Sequence, residues 1–197
     1  MLSQLRPAIV STVFFTLLLG VAYPLAITGV AQAAFPAQAG GSLIRDAKGQ
    51  VIGSALIGQA FARPEYLHSR PSAAGSNGYD ASASSGSNYG PLNPDLAKRI
   101  KGDAASLASD AAGKPIPADA LTTSGSGLDP DISPENARMQ AARIAKARGA
   151  DPVKVAALID AHVEGAFLGF IGQPHVNVLK TNLALDAALG KAQLPKS

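Results

Sequence analysis

Two stretches of the chain gather the residue types that could do chemistry. The first runs from Gly58-Gln59-Ala60-Phe61 through His68-Ser69-Arg70-Pro71-Ser72 to Ser85-Gly86-Ser87-Asn88. It offers an imidazole, a guanidinium and several hydroxyls. The second is Ser124-Gly125-Ser126-Gly127-Leu128-Asp129-Pro130. A Gly–Ser string of this kind can aim several backbone N–H groups at an anion or at a partner's backbone. It can equally be a connecting turn, with Asp129-Pro130 as its initiator. If the loops bind anything, the residues to do it are Ser124, Gly125, Ser126, Gly127, Asp129, His68 and Arg70.

Other chemistries find little to work with. Gly113-Lys114 lacks the upstream glycine of a phosphate-binding loop and runs into Pro115, while Gly190-Lys191 is followed by Ala192. There is neither an H-E-x-x-H nor a G-x-S-x-G motif. The chain has no cysteine, which removes disulfides, thiolate metal sites and thiol nucleophiles together. Its three histidines, His68, His162 and His175, are far apart. His162 is expected on a helix beside Val163, at or near the surface, and His175 in a turn after Pro174. A Ser–His–Asp triad assembles only in the fold, so spacing leaves it open. No catalytic residue and no metal ligand is expected. With 17 basic and 14 acidic residues, dispersed, and 5% aromatics, the chain lacks a nucleic-acid footprint.

The elements that must position these loops begin with a membrane-length segment. No charged residue lies between Arg6 and Arg45. Residues 8–30 are almost wholly apolar or small, roughly 35 Å as a helix, against a bilayer core of about 30 Å. The segment is read as a retained anchor. The competing reading is a cleaved export signal, supported by Ala31-Gln32-Ala33 and Ala37-Gln38-Ala39. The anchor runs longer than a signal core, and Pro24 is tolerated in a spanning helix. The expected organisation is a cytoplasmic N-terminus over 1–7, an anchor over 8–34 and a soluble extracytoplasmic domain over 35–197. The charge balance across the segment is nearly even, so that orientation rests on the segment's likeness to export signals. Thr12, Thr16 and Gly20 form one row of small residues on the anchor, and Ala22, Ala26, Gly29 and Ala33 a second. Such rows let helices approach closely in lipid, although an alanine-rich chain also produces them by chance.

Past the anchor, Ser42-Leu43-Ile44 and Val51-Ile52 read as short strands around Asp46-Ala47-Lys48-Gly49, and 54–57 could extend the second. Residues 63–94 lose aliphatic periodicity, yet carry Tyr66, His68, Arg70, Tyr79 and Tyr89, which points to an ordered loop. Helix starts are then well marked. Asn93-Pro94, Ser133-Pro134 and Asp151-Pro152 each pair an N-cap with proline at the first helical position. The second of these helices should end at Gly149 and the third near Gly165, and a fourth runs from about Val178 to Leu189. The fold class is α+β: one N-terminal transmembrane helix, then a single soluble periplasmic domain with short strands, long ordered loops and about four helices.

Read in order, RPA, AYPLAITG, FPAQA, GSLI, GSALIGQ, HSRPSA, SGSNYGPLNP, SGSGLDPDISP, ARIAKARG and VNVLKTNLALD make a distinctive series. The chain resembles the C subunit of the bacterial Kdp-type potassium-transporting ATPases over nearly its whole length. The resemblance implies a non-catalytic accessory subunit of an inner-membrane potassium-uptake complex. Its partners would be a potassium-binding channel-like subunit and an ATP-hydrolysing P-type subunit, with ATP and potassium handled by the complex and neither held tightly here. The chain lacks D-K-T-G and T-V-G-Y-G motifs, in keeping with that role. The family is described as a catalytic chaperone that raises ATP affinity. An extracytoplasmic domain fits better as a lid at the outer mouth of the potassium-binding subunit, with Asp129 and Asp131 biasing cation entry. The reading from a different class is a membrane-anchored periplasmic module that binds a small ligand at 124–130.

Overall fold

In the computed structural model the chain divides into two compact units, residues up to Ile52 and residues from Gly53 onward. Residues 2–46 and 48–190 are described; Ala47 of the first turn, and Lys191 and Ala192 of the rejected phosphate-loop match, lie outside them.

The first unit is dominated by one apolar helical run, Leu5–Ala34, 30 residues long, whose most apolar stretch buries nothing against the protein. It is built as α1 (Leu5–Leu17), a π-turn (Leu18–Ala22) and α2 (Tyr23–Ala34). Pro24 explains the interruption. It has no N–H to donate, so the ladder cannot continue in α register. Tyr23 N–H instead donates to Leu18 C=O, five residues back, and the widened turn absorbs the mismatch. By length and composition this helix can cross a membrane. A short α3 (Pro36–Ala39) follows, then β1 (Leu43–Arg45) and β2 (Val51–Ser54), paired as a two-stranded sheet. Their turn is fixed by the Asp46 carboxylate, which accepts from the N–H of Lys48 and Gln50, and by Gly49 at φ +78°. The second strand stops at Ser54 rather than running to Ile57, because the chain turns back there and Ser54 bridges Ile57.

In the second unit, α4 (Pro94–Ala111), α5 (Ala118–Leu121), β3 (Asp131–Ile132), α6 (Pro134–Arg148), α7 (Pro152–Asp160), β4 (Val163–Glu164), β5 (His175–Asn177) and α8 (Val178–Leu189) follow in order. The expected caps are present. Asn93 accepts from Asp95 N–H, Ser133 from Asn136 N–H and Asp151 from Val153 N–H. Gly149, in the left-handed region at φ +61°, ends α6 by donating to the carbonyls of Ala145 and Lys146. The third helix ends at Asp160, short of Gly165, because Val163 and Glu164 leave the helix to pair with Val176 and His175. His162 therefore sits just past the helix, half-buried, and His175 is in a strand, not a turn.

The sheet of this unit has the order β3-β5-β4, antiparallel throughout, with Asp131 opposite Asn177 and Ile132 opposite Val176. One core joins β3, β5, α6, α7 and α8: Leu67, Ile132, Ala137, Ala141, Ile144, Ala145, Val155, Ile159, Val176, Val178 and Leu185. Small alanines on α6 let it lie close to α7. Leu67 comes from the segment that has no periodicity, and it is fully buried.

Candidate functional site

The most elaborate construction in the molecule is the support of loop 64–74. Leu67 N–H donates to Asn182 Oδ1 at 2.7 Å and its carbonyl accepts from Asn182 Nδ2 at 3.0 Å. One residue on, His68 N–H donates to Gln140 Oε1 at 2.7 Å and its carbonyl accepts from Gln140 Nε2 at 3.1 Å. Each carboxamide supplies the acceptor and donor that a neighbouring strand would offer. Backbone groups that water cannot reach must be paired, and here two side chains replace a sheet. The spacing makes this possible. Asn136, Gln140 and Arg143 fall on one face of α6 at i, i+4 and i+7, and Asn182 and Asp186 on one face of α8 at i and i+4.

Two arginines extend the grip. Arg143 donates to Asp110 Oδ2 at 2.8 Å and to the carbonyls of Pro64 and Tyr66 at 2.5 and 3.1 Å. Arg148, its side chain 1% exposed, reaches Glu65 C=O at 2.8 Å, Gly190 C=O at 2.9 Å and Asp186 Oδ1 at 2.9 Å. Its guanidinium lies 5.1 Å from the centre of the Tyr66 ring, whose hydroxyl donates to Asp186 Oδ2. Burial, then the Asp186 carboxylate, pushes the Tyr66 phenol up. Burial and the neighbouring Arg143 hold His68 below the usual imidazole range.

The second expected loop packs against the first. Arg70 Nη1 pairs with Asp129 Oδ2 at 2.9 Å, while its Nε donates to Thr122 C=O at 3.3 Å and its Nη2 to Thr123 C=O at 3.4 Å. Ser72 Oγ donates to Gly127 C=O at 2.6 Å and accepts from Tyr79 N–H at 2.9 Å, while Tyr79 OH donates to Arg70 C=O at 2.5 Å. Gly127 N–H donates to Ser124 Oγ at 2.9 Å and Leu128 N–H to Ser126 Oγ at 3.1 Å. Those donors are thus taken up inside the loop, and Gly125 lies exposed at its tip. Two glycines make the packing possible. A Cβ on Gly58 would stand 2.4 Å from Asp129 O, and one on Gly127, already at φ +66°, 2.6 Å from Ser85 O.

The structure therefore brings His68 and Arg70 into one ordered assembly with Ser124, Ser126, Gly127 and Asp129. Its hydroxyls are used within it: Ser69 Oγ donates to Gln59 C=O, Ser84 Oγ to Ser126 C=O and Thr123 Oγ1 to Ser87 Oγ. A cleft of about 260 Å³ beside it is lined by His68, Ser69, Arg70, Asp103, Asn136 and Gln140. A second hollow, about 190 Å³, is lined by Arg70, Asp119, Asp129 and Asp131 together with Gln173, Pro174 and His175, whose Nε2 lies 3.9 Å from Asp131 Oδ2. Asp119 accepts from Ser133 N–H, Ser133 Oγ and Asn136 Nδ2, all neutral donors. Asp131 accepts from Asn177 Nδ2 at 2.9 Å, and burial holds its carboxyl above the usual carboxylate range. Among the described residues, no three His, Asp or Glu side chains converge in a way that could hold a metal ion.

On the anchor, Thr12 and Thr16 lie on α1, Gly20 and Ala22 in the π-turn, and Ala26, Gly29 and Ala33 on α2. The rows align only at 3.6 residues per turn, so the π-turn displaces the second row around the axis relative to the first. Two features escaped the sequence reading. The carboxamide clamps of Gln140 and Asn182 have no motif; the only trace is amide side chains on otherwise buried helix faces. The tip between β4 and β5, residues 166–172, exposes Phe167, Leu168, Phe170 and Ile171. Its signal was available: AFLGFIG is an uncharged apolar run between two glycines of a chain with few aromatics.

Comparison with known proteins covers almost the whole molecule. The family described as "KdpC: K+-transporting ATPase, c chain" matches residues 5–187. The chain is 71% identical over 187 residues to a protein of Caulobacter vibrioides (strain NA1000 / CB15N) named "Potassium-transporting ATPase KdpC subunit", covering 95% of this chain and 94% of that one. Proteins of the same name show 70% identity in Caulobacter sp. (strain K31), over 95% of each chain, and 59% in Beijerinckia indica, again over 95% of each.

Proposed function

The chain belongs to the KdpC family, the c chain of K+-transporting ATPases, and from that premise we propose that it is the non-catalytic accessory subunit of a high-affinity, ATP-driven potassium-uptake complex. It assembles with a potassium-binding channel-like subunit and an ATP-hydrolysing P-type subunit, which handle the potassium and the ATP. Residues 1–7 face the cytoplasm, 8–34 anchor the chain in the inner membrane, and 35–197 lie on the periplasmic side. The observation that carries this reading is the division of labour in the molecule. An apolar helix of 30 residues buries nothing of its own, while the polar loops of the second unit spend their donors and acceptors internally. Such a chain acts by what it binds to, not by turning over a substrate.

Placement decides between two ways of acting. A domain outside the cytoplasm cannot touch ATP, so any rise in ATP affinity, the role described for the family, passes through the assembly as a coupling free energy. A lid over the outer mouth of the potassium-binding subunit needs no such relay. The carboxylates of Asp119, Asp129 and Asp131 give that lid a surface that attracts cations. We favour the lid.

The test is recovery of the tagged full chain from membranes, with protease treatment of intact spheroplasts. Co-recovery of the multispanning subunits and digestion of the domain from outside support the reading. A chain recovered alone that binds a solute, or a domain cut only after lysis, overturns it.

A further inference from the structure

We infer that the hairpin tip at 166–172 is a docking knob that seats in an apolar socket, rimmed by positive charge, on another subunit of the same transport complex; this rests on the assembly reading above. The tip carries four large apolar side chains with no cover. Phe167 and Leu168 are each 69% exposed, Phe170 77% and Ile171 50%. Contiguous exposure of this kind marks an interaction site rather than ordinary surface. The tip is also built to be buried. Phe167 and Ile171 exchange two backbone hydrogen bonds of 2.9 Å, and Gly169 N–H and Phe170 N–H donate to Ala166 and Phe167 carbonyls at 2.9 and 3.3 Å. A partner can therefore cover the side chains without stranding these backbone groups. Leu168 at φ +53° and Gly169 at φ +81° make the tight turn at the tip.

Charge selects a protein over a lipid surface. No Lys, Arg, Tyr or Trp lies between Glu164 and His175, and these are the residues that seat a loop at a bilayer interface. The base of the tip forms a wall of the hollow where three carboxylates, Asp119, Asp129 and Asp131, meet the single guanidinium of Arg70. Anionic headgroups would repel that surface. A socket with a basic rim complements both the apolar tip and its acidic base.

The experiment places a benzophenone amino acid at position 170 of the full chain in its native membranes, with position 153 as control. Val153 is 75% exposed on α7, outside the tip segment. The expected result is a light-dependent adduct from 170, and none from 153, with another subunit of the ATPase. With the probe moved to 168, the double substitution Phe167→Ser, Phe170→Ser lowers adduct yield at least about tenfold, as loss of aromatic anchors does. Adducts with lipid alone, adducts with a second copy of this chain, equal yield from 153, or an undiminished yield in the double variant each overturn the assignment. If the other subunits co-purify while 170 labels only lipid, the knob fails and the assembly reading stands. If none co-purifies, both fail.

Discussion

Loop 64–74 and hairpin tip 166–172 are both short segments outside the helices, and they solve opposite problems. The loop has polar backbone in a dry place. It is held by amides and guanidiniums from α6 and α8, and Leu67 can be buried only because Asn182 pairs both of its backbone groups. The tip has apolar side chains in a wet place and pairs its own backbone, leaving the side chains uncovered. The difference teaches where each segment finds its partner. The loop is complete within the chain, and its polar residues serve the fold. The tip is complete only as backbone, and its side chains await something outside.

Breaking the loop should cost most where a buried charge loses its role. Arg148→Met removes the charge partner of Asp186, which keeps the Tyr66 hydroxyl, and strands the carbonyls of Glu65 and Gly190. Removing one member of a buried ion pair costs about 3–5 kcal/mol, so denaturant unfolding of the full chain in detergent should shift by that amount. Asn182→Ala leaves both backbone groups of Leu67 unpaired, at about 1–3 kcal/mol, read in the same assay; a cost below about 0.5 kcal/mol would mean water replaces the amide. A smaller effect comes from pH. His68 is held below its ordinary value by burial and by Arg143, against the pull of Asp110 and Glu65. The unfolded chain therefore takes up a proton first. Stability is full above about pH 6.5 and falls as pH drops through that value towards the folded pKa. Melting temperature should decline in that window, and less steeply in His68→Gln. The least effect belongs to the tip: Phe170→Ser should change stability by no more than about 0.5 kcal/mol. A larger loss would show that Phe170 packs within the domain, erasing the contrast.

The same contrast explains what could be read in advance. Helices were legible because their signals are local. Asn93, Ser133 and Asp151 each precede a proline and cap the helix that follows. The fourth helix followed from its leucines, although its cap, Asn177, is also the end of a strand. The three-stranded sheet was not legible. Its strands are two or three residues long, too short for alternation, and Asp131 finds Asn177 across 46 residues of chain. Of the site, His68, Arg70 and the 124–129 loop were legible as types in an ordered region. Their partners were not, since Gln140 and Asn182 act through a geometry that exists only once α6 and α8 have packed. The early end of α7 has the same origin: Val163 is drawn to Val176, a residue no local pattern connects with it.

The apolar helix has a consequence for posture. At about 1.5 Å per residue, its 30 residues reach roughly 45 Å, whereas lipid tails fill about 30 Å. Even a lean of about 40°, the upper end for such helices, leaves a surplus of several ångströms. If the helix spans a bilayer, as proposed above, it is therefore also a strut: the part beyond the tails stands clear as a short stalk or is sheathed by a neighbour, and whichever helix lies alongside sets the slant at which the chain emerges.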